Sequence, residues 1–267
     1  MAIKKVKDSN IKWGYSISFI LLILYFTLLT GCGSSETLDR IQADGVIRVG
    51  LDPTFPPFEN GDYGVLEGLD VDLANLIGRE IGVEVEFVLL GYDGLYDALL
   101  IEQCDILISA LVIDPAKQKD FAFSKPYFNA GQYLFVHETN PDITSLIDLE
   151  GKSIAVETGS AGQVEAISTK NSLKDLQIQT LSTADDALWT VLQLENDAAL
   201  VDQVNGRLYL QQQPVLEMIL NPVTVEPYAI VTRKADSALL NEMDRILANL
   251  LPSDEWKQVE NKWLGPK

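Results

Sequence analysis

Val46-Ile47-Arg48-Val49-Gly50-Leu51 runs directly into Asp52-Pro53-Thr54-Phe55-Pro56-Pro57-Phe58-Glu59. The first six residues, apolar apart from Arg48 and Gly50 and β-branched at Val46, Ile47 and Val49, read as a β-strand. The next eight hold three prolines and two phenylalanines, a stiff loop able to present Phe55 as a flat apolar wall, with Phe58 as a core plug. Asp52 ends the strand at its carboxyl side, the edge where open α/β sheets bind ligands. Outward from this stretch, apolar residues at 73, 74, 76, 77 and 81 predict a helix over 71–82. A second strand at 85–90, a helix at 95–101 and a third strand at 106–111 follow. A second set opens at 154–156. It continues with a helix from Gln163, a strand at 179–181, a helix at 185–194 and a strand at 198–201. Apolar runs at 132–136 and 228–232 stand apart. Leu239, Leu240, Met243, Ile246, Leu247 and Leu250 mark an amphipathic last helix. This alternation predicts an α/β protein of two lobes, with crossings at 128–133 and 221–228. The expected boundaries are 39–129 plus 226–267 for lobe 1 and 130–225 for lobe 2.

The chain has 267 residues, 47% of them apolar and 22% charged, which suits a globular protein with a sizeable core. Its net charge of −19 disfavours nucleic acid, whose phosphates need clustered cations. The one histidine, His137, excludes a multi-histidine metal site and leaves a Ser-His-Asp triad a single candidate. Two cysteines, Cys32 and Cys104, exclude a disulfide framework and a four-cysteine zinc site. Cys104 precedes an apolar run and reads as a buried structural residue. Gly151-Lys152-Ser153 is not a phosphate loop, because Leu146 stands where its leading glycine belongs. No cofactor is implied.

Lys4, Lys5, Lys7 and Lys12 precede an apolar run of about 13 residues, 17–29, too short for a membrane span but right for a signal peptide. Leu29-Thr30-Gly31-Cys32 looks like a bacterial lipobox, with residues 1–31 removed and the Cys32 thiol accepting a diacylglyceryl group. The other reading is an uncleaved anchor. Residues 32–38 form a tether, flexible at Gly33-Ser34-Ser35. Cleavage removes four lysines and Asp8, taking the net charge from −19 to −22. The expected location is outside the cytoplasmic membrane, in the periplasm or on the outer cell surface, held by lipid on Cys32.

Five segments in register behind that lipobox resemble the family 3 extracellular solute-binding proteins, the amino-acid receptors of ABC importers. They are Asp52 to Glu59, Leu66-Glu67-Gly68-Leu69-Asp70-Val71-Asp72-Leu73-Ala74, Tyr92-Asp93-Gly94-Leu95, Cys104 to Leu111, and Phe121-Ala122-Phe123-Ser124-Lys125-Pro126-Tyr127-Phe128. The resemblance covers residues 39–267. It implies a two-lobed clamshell with two hinge crossings, closing on one small ligand, with an ABC permease in the membrane as partner. The chain is expected to be a monomer and not an enzyme.

Residue by residue, the resemblance implies that Ser109, Ala110 and Leu111 bind an amino-acid head group through backbone and hydroxyl groups. Ala110 and Val112 lack the hydroxyl that many relatives carry. Lys117 stands where an arginine usually forks onto the ligand carboxylate, and lysine offers only a point charge. Either Lys117 neutralises a carboxylate with help from backbone amides, or the ligand lacks a standard one; a third reading is a solvated lysine. Ser160 and the Ala161 backbone match the turn that holds the carboxylate from the second lobe, although Ser160 reads equally as a helix cap. Asp202 matches the aspartate that holds the α-ammonium, or caps a helix. Asp52, Glu59, Asp114 and Glu157 face the same cleft by analogy, and an acidic mouth beside Phe55 favours a cationic side chain. Two alternatives belong to other classes: a receptor that signals to a membrane partner, and a cyclohexadienyl-dehydratase-like enzyme using Glu157 or Asp114 as general acid.

Overall fold

A computed structural model describes residues 36–61 and 64–265. The expected signal peptide, lipobox and Cys32, with Gly33-Ser34-Ser35, lie outside the described residues. Among the described residues the fold is α/β, built on two five-stranded sheets.

The first sheet has the order β4-β1-β5-β14-β6. Helix α1 (Glu36–Asp44) leads into β1 (Val46–Leu51), which pairs in parallel with β4 (Glu84–Leu89) and β5 (Ile106–Leu107). Strand β14 (Val231–Arg233) lies antiparallel to β5 and to β6 (Phe121–Phe123). The helix expected at 71–82 is α2 (Leu69–Ile81), which buries Leu73, Ala74, Leu76 and Ile77 and stops at Gly82 in the left-handed region. It starts at Gly68, where a Cβ would lie 1.9 Å from the Phe58 carbonyl oxygen. Only glycine allows this approach, which places the Asp70 amide on the Phe58 carbonyl at 2.9 Å. On the other face, α3 (Leu95–Leu100) covers Leu107, Leu111 and Phe121. The C-terminal helices α7 (Ser237–Leu250) and α8 (Asp254–Leu264) return to this sheet, packing Met243, Ile246 and Trp256 among Ile41, Val49 and Ile77.

The second sheet has the order β10-β9-β11-β8-β12. Strand β9 (Ser153–Glu157) pairs in parallel with β10 (Gln177–Leu181) and β11 (Ala198–Asp202). Strand β8 (Gln132–His137) is antiparallel to β11 and to β12 (Leu216–Met218). Helices α4 (Ala161–Lys170), α5 (Ala184–Leu192) and α6 (Gln203–Leu210) complete this half.

A short antiparallel pair, β7 (Phe128–Asn129) with β13 (Pro227–Tyr228), joins the two crossings. The Asn129 carboxamide oxygen accepts from the backbone amides of Glu226, at 2.6 Å, and Gly131, at 3.3 Å. A Cβ at Gly131 would sit 2.0 Å from the Thr224 carbonyl oxygen, so a side chain there would force the crossings apart.

Two expectations change. The segment 52–59 is not all loop: Thr54–Phe55 (β2) and Glu59–Asn60 (β3) pair as a small hairpin. The third strand stops at Leu107 instead of reaching 111, and Ala110 beyond it turns the chain with a left-handed φ of 45°.

Candidate ligand-binding cleft

Strands β1 and β5 are parallel neighbours, so Asp52 and Ser109 leave the sheet at one edge. The Ser109 hydroxyl joins them, accepting from the Asp52 amide at 3.0 Å and donating to Glu59 Oε1 at 2.6 Å. Over this edge lies a cavity of about 400 Å³. It brings together five of the sequence candidates: Asp52, Phe55, Glu59, Ser109 and Ala110. Tyr92, Val112, Glu226 and Tyr228, not singled out in the sequence as site residues, complete its wall along with Thr54.

The aromatic wall is built on Phe58. Its ring, fully buried, stacks under the half-exposed Phe55 at 5.8 Å between centroids. It also meets Phe128 and Tyr228 edge-on at 5.2 and 5.3 Å. The Asp52 carboxylate accepts from Thr54 Oγ1 at 2.8 Å and from the Tyr92 amide at 3.0 Å.

Glu59 departs from the expected mouth carboxylate. It is 1% exposed, and burial followed by the Asp70 charge raises its carboxyl to about 10. Asp70, wholly buried on the first turn of α2, is raised by burial and moderated first by hydrogen bonds from the Ala110 amide and the Tyr127 hydroxyl. The Ala110 amide donates to Asp70 Oδ2 at 2.7 Å and the Tyr127 hydroxyl at 2.9 Å. Burial thus pushes both carboxyls of this coupled pair above the ordinary carboxylate range, Glu59 the further of the two. Burial is also the first cause raising the Tyr228 hydroxyl, followed by Glu226, Asp202, Asp70 and Glu59.

Lys117 does not line this cavity. Its ammonium lies 4.0 Å from the Tyr96 ring centroid, in an adjoining cavity of about 430 Å³ that shares Tyr92 and Val112 with the first. Asp114 lines that second cavity and caps the turn Pro115–Lys117 by accepting from the Ala116 amide at 2.8 Å. The Leu111 side chain faces the core beside Leu95 and Phe121, and its carbonyl accepts from the Ala229 amide at 3.0 Å.

On the second sheet, Glu157 ends β9, and Ser160 caps α4, whose first residue is Ala161. The Ser160 hydroxyl accepts from the Gln163 amide at 3.1 Å and donates to the Glu157 carbonyl at 2.8 Å. Asp202 ends β11 and caps α6, accepting from the Asn205 amide at 3.0 Å and its side-chain nitrogen at 2.8 Å. It does not line the cavity over the first sheet. His137 lies on β8 and hydrogen-bonds Thr139 at 2.9 Å.

Tyr92, Glu226 and Tyr228 line the cavity and Asp70 lies beneath it, none of them marked as a site residue by the sequence. Asp70 reads in sequence as an ordinary first-turn acid of an amphipathic helix, and nothing in its neighbours signals that it is buried. Tyr92 opens the segment Tyr92-Asp93-Gly94-Leu95, and that position is the signal its sequence offers.

A family model for bacterial extracellular solute-binding proteins, family 3, matches residues 47–266. The probable amino-acid-binding protein YxeM of Bacillus subtilis (strain 168) is 26% identical over 261 residues, 95% of each chain. Among solved structures, an ancestral cationic amino acid solute-binding protein is 32% identical, with a TM-score of 0.62 over 85% of this chain and 99% of that one. An ancestral cyclohexadienyl dehydratase is 25% identical, with a TM-score of 0.74 over 85% of this chain and 95% of that one. With two mixed five-stranded sheets joined by paired crossings and a cavity at the carboxyl edge of the first, the chain belongs to the bacterial extracellular solute-binding proteins, family 3.

Proposed function

We propose that this protein binds a basic amino acid between its two lobes and delivers it to the permease of an ABC importer. The observation that carries the reading is the wall of the cavity, in which the Asp52 and Glu226 carboxylates stand beside Phe55, Tyr92 and Tyr228. Acidic groups against aromatic faces favour a cation. Lys117, in the adjoining cavity, supplies the charge for the ligand's carboxylate, and Asp202 receives its α-ammonium from the second sheet. Ser160 and the Ala161 amide, at the start of α4, are placed to complete the carboxylate's partners as the lobes close by bending at β7 and β13. The lobes in this reading are 39–129 plus 226–267 and 130–225. Similarity to a cationic amino acid binder supports the ligand class. Cys32 carries the lipid that keeps the monomer at the outer face of the cytoplasmic membrane.

Thermal-shift and calorimetric titration of the chain from Ser34 onward tests this, using L-arginine, L-lysine, L-glutamine and polyamines. A ligand that binds only the folded state raises the melting temperature by mass action. A rise with arginine or lysine is expected. A rise confined to amines without a carboxylate overturns the role of Lys117. The similarity to an ancestral dehydratase favours one second reading, an enzyme with Glu157 or Asp114 as acid. Turnover of a cyclohexadienyl substrate, lost on replacing either residue by its amide, would establish that reading instead.

A further inference from the structure

Beneath the cleft, two buried carboxyls each leave one oxygen unpartnered: Glu59 Oε2 and Asp70 Oδ1. Their other oxygens are engaged, Glu59 Oε1 by the Ser109 hydroxyl at 2.6 Å, and Asp70 Oδ2 by the Ala110 amide at 2.7 Å and the Tyr127 hydroxyl at 2.9 Å. A buried polar atom without a partner is costly, and two such acceptors, on side chains held by the consecutive residues Ser109 and Ala110, can be satisfied together by one shared proton. The groups facing Asp70 are the Ala110 amide, Tyr127 and Glu59; those facing Glu59 are Ser109, Asp70 and Asp52, with Tyr228 beside both. None of them is a cation, so no lysine or arginine stands in for the proton.

We propose that Glu59 and Asp70 hold one proton between Glu59 Oε2 and Asp70 Oδ1, and that this acid pair is the positioning device for the ligand platform. Asp70 holds Ala110 in its left-handed conformation, and Glu59 holds Ser109, which in turn holds the amide of Asp52. Both residues therefore act on the cleft through the backbone at 52 and 109–110. Removal of the proton leaves two carboxylates side by side in a buried site. They separate, and the corner that each one pins moves with them.

The test uses the full chain, solubilised in detergent, with wild type compared against Glu59→Gln and Asp70→Asn. Each amide supplies a permanent N–H donor where the shared proton lay, so both variants keep the bridge and the fold. Infrared spectra at pH 7 are expected to show a protonated carboxyl band in wild type that Glu59→Gln lacks. With labelled alanine, the Ala110 amide resonance of wild type is expected to shift at alkaline pH as that band disappears, and to stay fixed in Glu59→Gln. Affinity for L-arginine, the arm that rests on the proposed ligand class, should fall about tenfold per pH unit above the midpoint in wild type, and should not follow this titration in Glu59→Gln. A wild-type spectrum without the protonated band, or an Ala110 resonance indifferent to the titration, overturns the proposal. Failure of arginine to bind at any pH overturns the ligand reading, while the infrared and Ala110 measurements still decide on the pair.

Discussion

Replacement of Asp105 by asparagine tests how the first sheet is fastened below the cleft. The Asp105 side chain is fully buried and lies just before β5. It accepts from the Arg48 amide at 2.9 Å, from Arg48 Nη2 at 2.7 Å and Nε at 3.3 Å, and from the Arg40 guanidinium. One carboxylate thus joins α1, β1 and β5. Removing one partner of a buried ion pair costs about 3–5 kcal/mol. Arg48 and Arg40 are 29% and 37% exposed and turn to water once released, so about 2–3 kcal/mol is expected here. For a chain of this size that lowers Tm by about 4–10 °C. The pH dependence gives the charge away. Burial acts to raise the Asp105 carboxyl, but hydrogen bonds from Arg48 and Arg40 outweigh it and hold it below its ordinary value of 3.8. A carboxyl depressed in the native state contributes stability above the unfolded value and loses it as pH falls further. The gap between wild type and Asp105→Asn in urea denaturation should therefore be full at pH 7 and shrink below pH 3.8. A variant within about 0.5 kcal/mol of wild type at neutral pH refutes the reasoning, as does a gap that does not narrow in acid.

Other outcomes follow from individual contacts. Phe58→Ala should cost about 3–5 kcal/mol in chemical denaturation and weaken ligand binding, because the ring carries Phe55, Phe128 and Tyr228. Ala110→Gly should raise stability by up to about 1 kcal/mol in the same assay, since the left-handed φ of 45° strains a residue with a Cβ. Burial raises the Cys104 thiol to about 11, so in the chain from Ser34 onward it should resist a thiol reagent at pH 7 until denaturant is added. For Asp202, asparagine keeps the cap on α6 but not the charge. Calorimetry should therefore show both Asp202→Asn and Asp202→Ala losing ligand, with only the alanine variant losing about 1 kcal/mol of stability as well.

The elements themselves are legible from period and punctuation. The apolar spacing of α2 and α7 has a period of 3.6, strand β1 carries β-branched residues, and Gly82 stops a helix, all within local sequence. The order of motifs was enough to indicate the family before any geometry, and Phe55 and Asp52 fall on the edge where a strand-terminal loop must open. What local sequence does not carry is the sign and direction of each polar group. Asp70 and Asp72 occupy one helical turn with the same chemistry. Only the packing of α2 under residues 58–59 buries Asp70, while Asp72 reaches Lys262 at 2.8 Å. Glu59 and Glu226 are likewise both acids near the cleft. Burial and then the Asp70 charge raise the carboxyl of the first, and exposure at the crossing leaves the second open to solvent. Lys117 turns to the Tyr96 face because α3 brings that ring to it, across some twenty residues of chain. Periodicity and motif order determine which elements form and which edge opens, since these depend on neighbours in the chain. Which carboxyl holds a proton and which side chain faces the ligand depend on desolvation by residues distant in sequence, and only the tertiary structure decides them.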